Sequence, residues 1–347
     1  MRYRLRLTAI AFALCATAIF STAVLAQPFG AWLVSSSSSS TKYVEVPSSS
    51  DLNPITAITI EAWVSNSALS AGDCRSLVGK DFTTSYWLGI CGNTFRSYLA
   101  GSASVRDGGI VPNGQWTHVA VTYDGTNRRH YINGELISTF AQTGSLPAST
   151  AALRIASDVS WMQSPNGAIN EVRLWNVART VDQIRGSINT PITAAQPGLV
   201  AVWSDGLHDA LGAHNGNNVG GVGFLTFPVA LGCTPSPTAL CLSGRFSVTV
   251  QWRDFAGNSG VGTVVPGASA DSGLFWFFAP AAWEVLAKTV NGCALNNRWW
   301  AFGAATTNVF YRLEFLDVRG GASKIYFNYP GVASPAVTDA AAFGTCP

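Results

Sequence analysis

The chain has 347 residues, 12% of them charged and 48% hydrophobic, with 34 Gly and 12 Trp. A charged share about half the usual one, joined to so much Gly and Trp, marks a turn-rich, aromatic-rich β protein. Residues 1–26 hold three Arg and no acid, so their removal takes the formal charge from +2 to −1. That excludes the concentrated basic face which nucleic acid or an anionic membrane surface requires. No later stretch is long or apolar enough to span a bilayer.

Arg2, Arg4 and Arg6, the apolar run from Leu7 to Phe20 and Val24-Leu25-Ala26 before Gln27 have the layout of a cleavable secretory signal, cut after Ala26. A lipoprotein would need Cys15 as its anchor, but Phe12-Ala13-Leu14 ahead of it is a poor lipobox. The expected product is soluble and exported, extracellular or periplasmic, and long enough for two single-core domains.

Residues 27–41 form a Ser-rich lead-in whose run Ser35 to Ser40 cannot bury surface. Tyr43 to Val46 alternates as an edge strand closed by Pro47, and Ile58 to Val64 places Ile58, Ile60, Ala62 and Val64 opposite Thr59, Glu61 and Trp63. Gln115 to Leu136 then reads as successive hairpins. Thr117, Val119, Val121 and Tyr123 alternate with Trp116, His118, Ala120 and Thr122; Asp124-Gly125 supplies the first reversal and Asn133-Gly134 a second of the I′ type. Three antiparallel strands in one short segment argue a meander in an all-β domain.

Leu153 to Ala156 is a short strand, 157–166 a loop with Asp158, Trp161 and Pro165, and Ile169 to Trp175 a long strand. Thr180-Val181-Asp182-Gln183 has the capping-box pattern, which predicts a short helix from Val181 to about Ser187. Gly198 to Trp203 is another strand, and the Gly-, Asn- and His-rich stretch 205–221 closes the first domain. Residues 231–239, with Pro235 and Pro237, read as a linker.

From Leu240 the chain is again β. Phe246, Val248, Val250 and Trp252 alternate with Ser247, Thr249, Gln251 and Arg253; Leu274 to Phe278, Val309 to Val318 and Lys324 to Tyr329 are further strands. About seven short strands in residues 240–347 predict a smaller, immunoglobulin-like β-sandwich.

Trp116-x-His118-Val119-Ala120-x-Thr122-Tyr123-Asp124-Gly125 with Tyr131-Ile132-Asn133-Gly134 resembles the laminin-G-like and pentraxin-like jelly rolls of the concanavalin A-like superfamily. Gly167 to Asn176 is similar to that family's last long strand, and Glu61-Ala62-Trp63-Val64 lies near its start. The resemblance covers roughly residues 42–205, within a domain taken as 42–230. The stretches around Trp252, Phe275 and Cys293 resemble a module that recurs at the ends of bacterial exported proteins, which implies location rather than chemistry.

Excluding Cys15, six cysteines remain, an even number that in an exported chain favours disulfides. Cys74 and Cys91 pair in the first domain, a closure of about 3 kcal/mol on the chain-entropy model. Cys233, Cys241, Cys293 and Cys346 allow three pairings; Cys233–Cys346, tying the module's ends, with Cys241–Cys293 inside it, is the expected one.

The glucanase pattern of acids at alternate strand positions is absent, as is a Ser nucleophile elbow, and no Cys is left over, so an enzyme is not expected. Glu171 stands alone in its strand and reads as a carboxylate paired with an Arg. His118 and His130 read as hydrogen-bonded sheet histidines, and His208 and His214, flanking Asp209, fit no zinc spacing. The resemblance implies calcium at the rim. Asp158 falls where the pentraxin pattern has an acidic calcium-binding run, whereas Thr84-Ser85 stands where that pattern has Asp-Asn, leaving Asp158 as the candidate ligand. Exposed aromatics are the other route to a binding site, because sugars stack on them. Trp161, in its loop, and Trp299-Trp300, which must point to opposite faces of a strand, are the candidates. The expected function is recognition or adhesion, with a glycan or an extracellular or surface protein as ligand. The alternatives are a divergent glycan hydrolase or lyase and a purely structural envelope protein.

Overall fold

The computed structural model describes residues 33–35, 42–100, 104–160, 163–204, 206–224 and 230–346. Residues 1–26 and all of the serine run beyond Ser35 lie outside them.

The first domain has strands β1 (Leu33–Ser35), β2 (Tyr43–Val46), β3 (Ile58–Asn66), β4 (Cys74–Lys80), β5 (Tyr86–Cys91), β6 (Thr94–Leu99), β7 (Ser104–Ile110), β8 (Thr117–Tyr123), β9 (Asn127–Ile132), β10 (Glu135–Ala141), β11 (Leu153–Ile155) and β12 (Gly167–Trp175), then helix α1 (Val181–Ser187), then β13 (Leu199–Trp203), β14 (Asn217–Val219) and β15 (Gly223–Phe224). They form two antiparallel sheets packed face to face. One has the order β10-β9-β8-β3-β12-β1-β15, with β13 also on β12, and the other β14-β2-β11-β4-β5-β6-β7. The domain therefore begins earlier than residue 42: Leu33 pairs with Ile169 on one side and Phe224 on the other, so Ser35 ends a strand instead of opening a lead-in. Composition hides such a strand, because its partners are more than a hundred residues away.

The sequence pattern places the rest. Ile58, Ile60, Ala62 and Val64 of β3 meet Val119, Val121 and Tyr123 of β8 in the core between the sheets. Asp124 Oδ1 accepts from the N–H groups of Thr126 (2.9 Å) and Asn127 (2.7 Å), with Gly125 at φ +86°, and Asn133-Gly134 turns with both φ positive. Thr180 caps α1, its Oγ1 accepting from Gln183 N–H while Gln183 Oε1 accepts from Thr180 N–H.

The second domain has β16 (Leu240–Leu242), β17 (Phe246–Arg253), β18 (Ser259–Val261), β19 (Thr263–Val264), β20 (Ser272–Trp276), β21 (Trp283–Asn291), α2 (Cys293–Asn296), β22 (Trp299–Ala305), β23 (Phe310–Asp317), β24 (Ser323–Asn328) and β25 (Val337–Phe343). One sheet has the order β16-β17-β23-β24 with β18 on β17, the other β19-β20-β21-β22-β25. That is ten strands among the described residues, where the sequence suggested about seven; β18, β19 and β16 are only two or three residues long and carry too little alternation to be read.

Cys74–Cys91 is bonded as expected, across paired positions of β4 and β5. The other pairing is corrected: Cys233 bonds Cys241 and Cys293 bonds Cys346, not Cys233–Cys346 and Cys241–Cys293. The linker folds back on itself through a bridge between Ser236 and Ala239, which returns Cys241 to Cys233. Trp299 at the start of β22 pairs with Phe343 at the end of β25, so Cys293 and Cys346, just outside these positions, meet at one end of the sheet.

Edge strand β24 docks on the first domain. Ile325 and Phe327 pack with Trp63, Trp116, Ala168 and Ile188, and the Phe327 ring stacks on Trp63 at 6.3 Å. The Arg185 guanidinium lies 3.7 Å from the Tyr329 ring centroid and its Nε donates to Gly134 O; Arg253 pairs with Glu135 at 2.6 Å. Gly134 has no room for a side chain, because a Cβ there would meet the Tyr329 hydroxyl.

Two outcomes are expected. Thr180→Ala should lower unfolding stability in urea by about 1 kcal/mol, and Thr180→Ser should retain it. Non-reducing peptide mapping should recover Cys233–Cys241 and Cys293–Cys346; recovery of a Cys233–Cys346 peptide would refute this connectivity.

Candidate functional site

Alternation makes one face of β3 apolar and leaves Thr59, Glu61 and Trp63 on the other, where an antiparallel sheet usually meets water. Here that face is covered, and all three are at most 1% exposed. Glu61 is ion-paired to Arg179, has Arg173 Nη1 at 3.9 Å and has His118 Nε2 at 3.3 Å. Burial alone would raise its pKa, but His118, Arg173 and Arg179 outweigh it and hold the carboxyl at about 2. His118 is pushed down, chiefly by burial.

Beside this cluster β12 carries a bulge. Asn170 pairs with Trp63 and Arg173 with Glu61, so the segment between them has one residue too many. The extra residue puts Glu171 on the outer side together with Asn170 and Arg173, while Ile169, Val172 and Leu174 stay in the core. Glu171 takes φ +50°, an uncommon conformation for a residue with a side chain. Its Oε2 accepts from Arg173 Nε (3.1 Å) and Nη2 (3.0 Å), as the sequence suggested, and its Oε1 is buried without a hydrogen-bond partner.

Glu171 opens onto a cleft of about 850 Å³ between the domains. The first domain contributes Glu171, Asn189, Thr190, Thr193 and Ser204; the second contributes Arg298, Lys324, Tyr326, Phe327 and Asp339. Strands β24 and β25 are the edges of the two second-domain sheets, so their side chains form the mouth of that sandwich. Tyr326 donates its hydroxyl to Asp339 Oδ2 at 2.8 Å, and Lys324 Nζ lies 3.5 Å from the same oxygen. Burial pushes the Lys324 ammonium pKa down, opposed by Asp339 and Glu171 and assisted by Arg298; burial and Asp339 push the Tyr326 phenol well up. Asn189 Oδ1, like Glu171 Oε1, is buried with no hydrogen-bond partner. A volume of this size, with the aromatic residues Tyr326 and Phe327 and a few polar groups in its lining, has the make-up of a small-molecule or oligosaccharide site. A second interdomain cleft, of about 520 Å³, is lined by the Arg253–Glu135 and Gln115–Gln251 pairs and by Arg312.

Asp158, Trp299 and Trp300, singled out from sequence, lie elsewhere. Asp158 is fully buried, its carboxylate accepting from Phe82 N–H (3.0 and 3.1 Å) and Ser160 N–H (2.8 Å), with Gly79 packed against it. Asp81 nearby accepts from Thr83, Ser149 and Ser160. Among the described residues no three of His, Cys, Asp and Glu converge. Trp161 lies outside the described residues. Trp299 packs on Phe246 in the second core, whereas Trp300, on the opposite face, donates Nε1–H to Asn296 Oδ1; neither lines the cleft. His130 lies 2.7 Å from Ser97 Oγ and 3.1 Å from Ser138 Oγ, as a sheet histidine should. His214 lies 2.9 Å from Asp51, and Asp209 organises its loop by accepting from Val202, Leu211, Ala213 and His214 N–H groups. Arg298, Lys324, Asp339 and Asn189 carried no local signal, since the cleft exists only once the domains meet.

Residues 38–185 match a laminin-G family model described as the concanavalin A-like lectin/glucanases superfamily. This segment is a concanavalin A-like domain. Among solved structures, the chain is similar to a Bacteroides ovatus protein described as a candidate carbohydrate binder, at 20% identity and TM-score 0.47, covering 56% of this chain and 60% of that one. It is also similar to a heptameric SAP-like pentraxin from Limulus polyphemus at 12% identity and TM-score 0.42, covering 57% and 95%. Domain 4 of AbnA, a GH43 extracellular arabinanase from Geobacillus stearothermophilus in complex with arabinotriose, is similar at 22% identity and TM-score 0.33, covering 41% and 70%. No curated protein matches the chain. In the concanavalin A-like domain, then, the cleft lies beside the outer face of the larger sheet, not at the rim where Asp158 was sought.

Acid should unfold the protein in two stages. Burial, then Arg128, pushes His130 down to about 3, so the unfolded chain takes up its proton first; that stabilisation is complete above pH about 6.5 and is lost as pH falls toward 3. His118 acts in the same sense. Glu61, held down at about 2, adds a loss that begins only below pH about 4.5. Urea unfolding should therefore show stability falling by up to about 1.4 kcal/mol per pH unit for each buried histidine below pH 6. His130→Gln should flatten this slope; an unchanged slope would refute the assignment.

Proposed function

We propose that the protein is a carbohydrate-binding protein that holds its glycan in the interdomain cleft. The observation that carries this reading is the pair of buried acceptors, Glu171 Oε1 and Asn189 Oδ1, lining a cleft beside Tyr326 and Phe327. Sugar hydroxyls are donors of the kind such acceptors lack, and ring faces pack against aromatic side chains. The superfamily description of residues 38–185 is in keeping with it. Three disulfides support a place of action outside the cytoplasm.

One observation favours a second reading. Glu171 and Asp339 line the same cleft, and glycoside hydrolysis needs two carboxylates facing one bond. Binding is preferred because each is engaged by a cation, Glu171 by Arg173 and Asp339 by Lys324.

A glycan array run with calcium and again with chelator should return binders under both conditions. Asn189→Ala should weaken binding about tenfold, as loss of one hydrogen bond does, and leave the melting temperature nearly unchanged. Binding unaffected by Asn189→Ala and Tyr326→Ala would place the glycan elsewhere. Cleavage products from a bound glycan that disappear in both Glu171→Gln and Asp339→Asn would favour the hydrolase.

A further inference from the structure

The charges in the cleft are unevenly matched. Glu171 is held by Arg173, which also donates to Ser187 O and Thr190 O, and Asp339 is held by Lys324 and Tyr326. Arg298 lines the same cleft, yet among the described residues it has neither a carboxylate within ion-pair distance nor an acceptor for its guanidinium. It is close enough to Lys324 for the two cations to repel. Its position is built: α2 ends at Asn297 in the left-handed conformation, φ +56°, with Asn297 N–H bonded to Cys293 O, and Cys293 is tied to Cys346. A half-buried guanidinium beside a second cation, fixed at the mouth of a cleft, is suited to an anion. The planar fork of arginine matches the two oxygens of a carboxylate.

We infer that Arg298 makes the cleft selective for acidic glycans, binding a sugar carboxylate while Glu171 Oε1 and Asn189 Oδ1 accept from that sugar's hydroxyls. The inference rests on the cleft being the glycan site. The acceptors and the cation come from different domains, so one ligand must present hydroxyl donors and an anionic group within the length of a few sugar rings. A neutral sugar would satisfy the acceptors and leave Arg298 unmatched. A simple anion would satisfy Arg298 and leave the acceptors unmatched.

Isothermal titration of the purified protein with trigalacturonate, its methyl ester, 3′-sialyllactose and lactose tests this. At least one acid should bind about 10- to 100-fold more tightly than its neutral counterpart, the span of a charge-assisted hydrogen bond, and that advantage should shrink as salt rises. Preference for trigalacturonate would assign a uronic acid, and preference for sialyllactose a sialic acid. Arg298→Gln should remove the advantage with little change in melting temperature, since Arg298 has no ion pair to lose, and Arg298→Lys should restore part of it. Equal binding of acid and neutral partners, unaltered in Arg298→Gln, would overturn the inference and leave the glycan reading standing. An acid preference that survives Arg298→Gln would also overturn it. Failure of all four to bind would count against both.

Discussion

Glu61 has no exposed surface and keeps its charge, so the outer face of the first sandwich has to supply cations and then be closed off. Breaking a buried ion pair by removing one partner costs about 3–5 kcal/mol, because the other charge is left unmatched. The surroundings follow from that constraint. Arg179 reaches Glu61 from the segment that precedes the capped helix, Arg173 from the bulged strand, and His118 from the neighbouring strand. The second domain lays Phe327 over Trp63, two residues along the same strand face. Charge and apolar contact are thus interleaved on one surface, and neither would be well placed without the other.

The bulge in β12 links this buried cluster to the cleft. With regular pairing the strand would carry alternate residues outward; the extra residue lets consecutive ones, Asn170 and Glu171, share the outer side. Glu171 gives one carboxylate oxygen to Arg173, and its other oxygen is buried beside the cleft without a hydrogen-bond partner. The non-glycine residue at positive φ is a departure from regular backbone of the kind that accompanies a functional position. Here its effect is to set a carboxylate of the sheet's outer face into the lining of the cleft.

The parts legible in the sequence are those whose signal is local. The meander from β8 to β10 follows from alternation and two turn dipeptides, α1 from four residues of capping box, and β17 from an unbroken alternation over eight residues. What escaped reading depends on distant partners. Strand β1 has three residues and exists because β12 and β15 hold it from both sides. The cysteine pairing depends on which strand ends share a sheet margin, and four cysteines carry no such label. The cleft is furthest from view: Glu171, Asn189, Arg298, Lys324 and Asp339 are spread over 169 positions and two domains. Glu171 was noticed and rightly given to an arginine, but only the bulge shows that one of its oxygens remains for something else.

Strand β25 is an edge of its sheet, held along one side by β22 alone. A strand with a single partner opens locally at less cost than one paired on both sides. Asp339 and much of one cleft wall belong to this strand. The bond from Cys346 to Cys293 fastens its far end to the turn that carries Arg298, so an opening of β25 cannot run freely past the wall. The cystine thus ties two walls of the cleft, the turn with Arg298 and the strand with Asp339, to one another through a bond that lies outside the cleft lining.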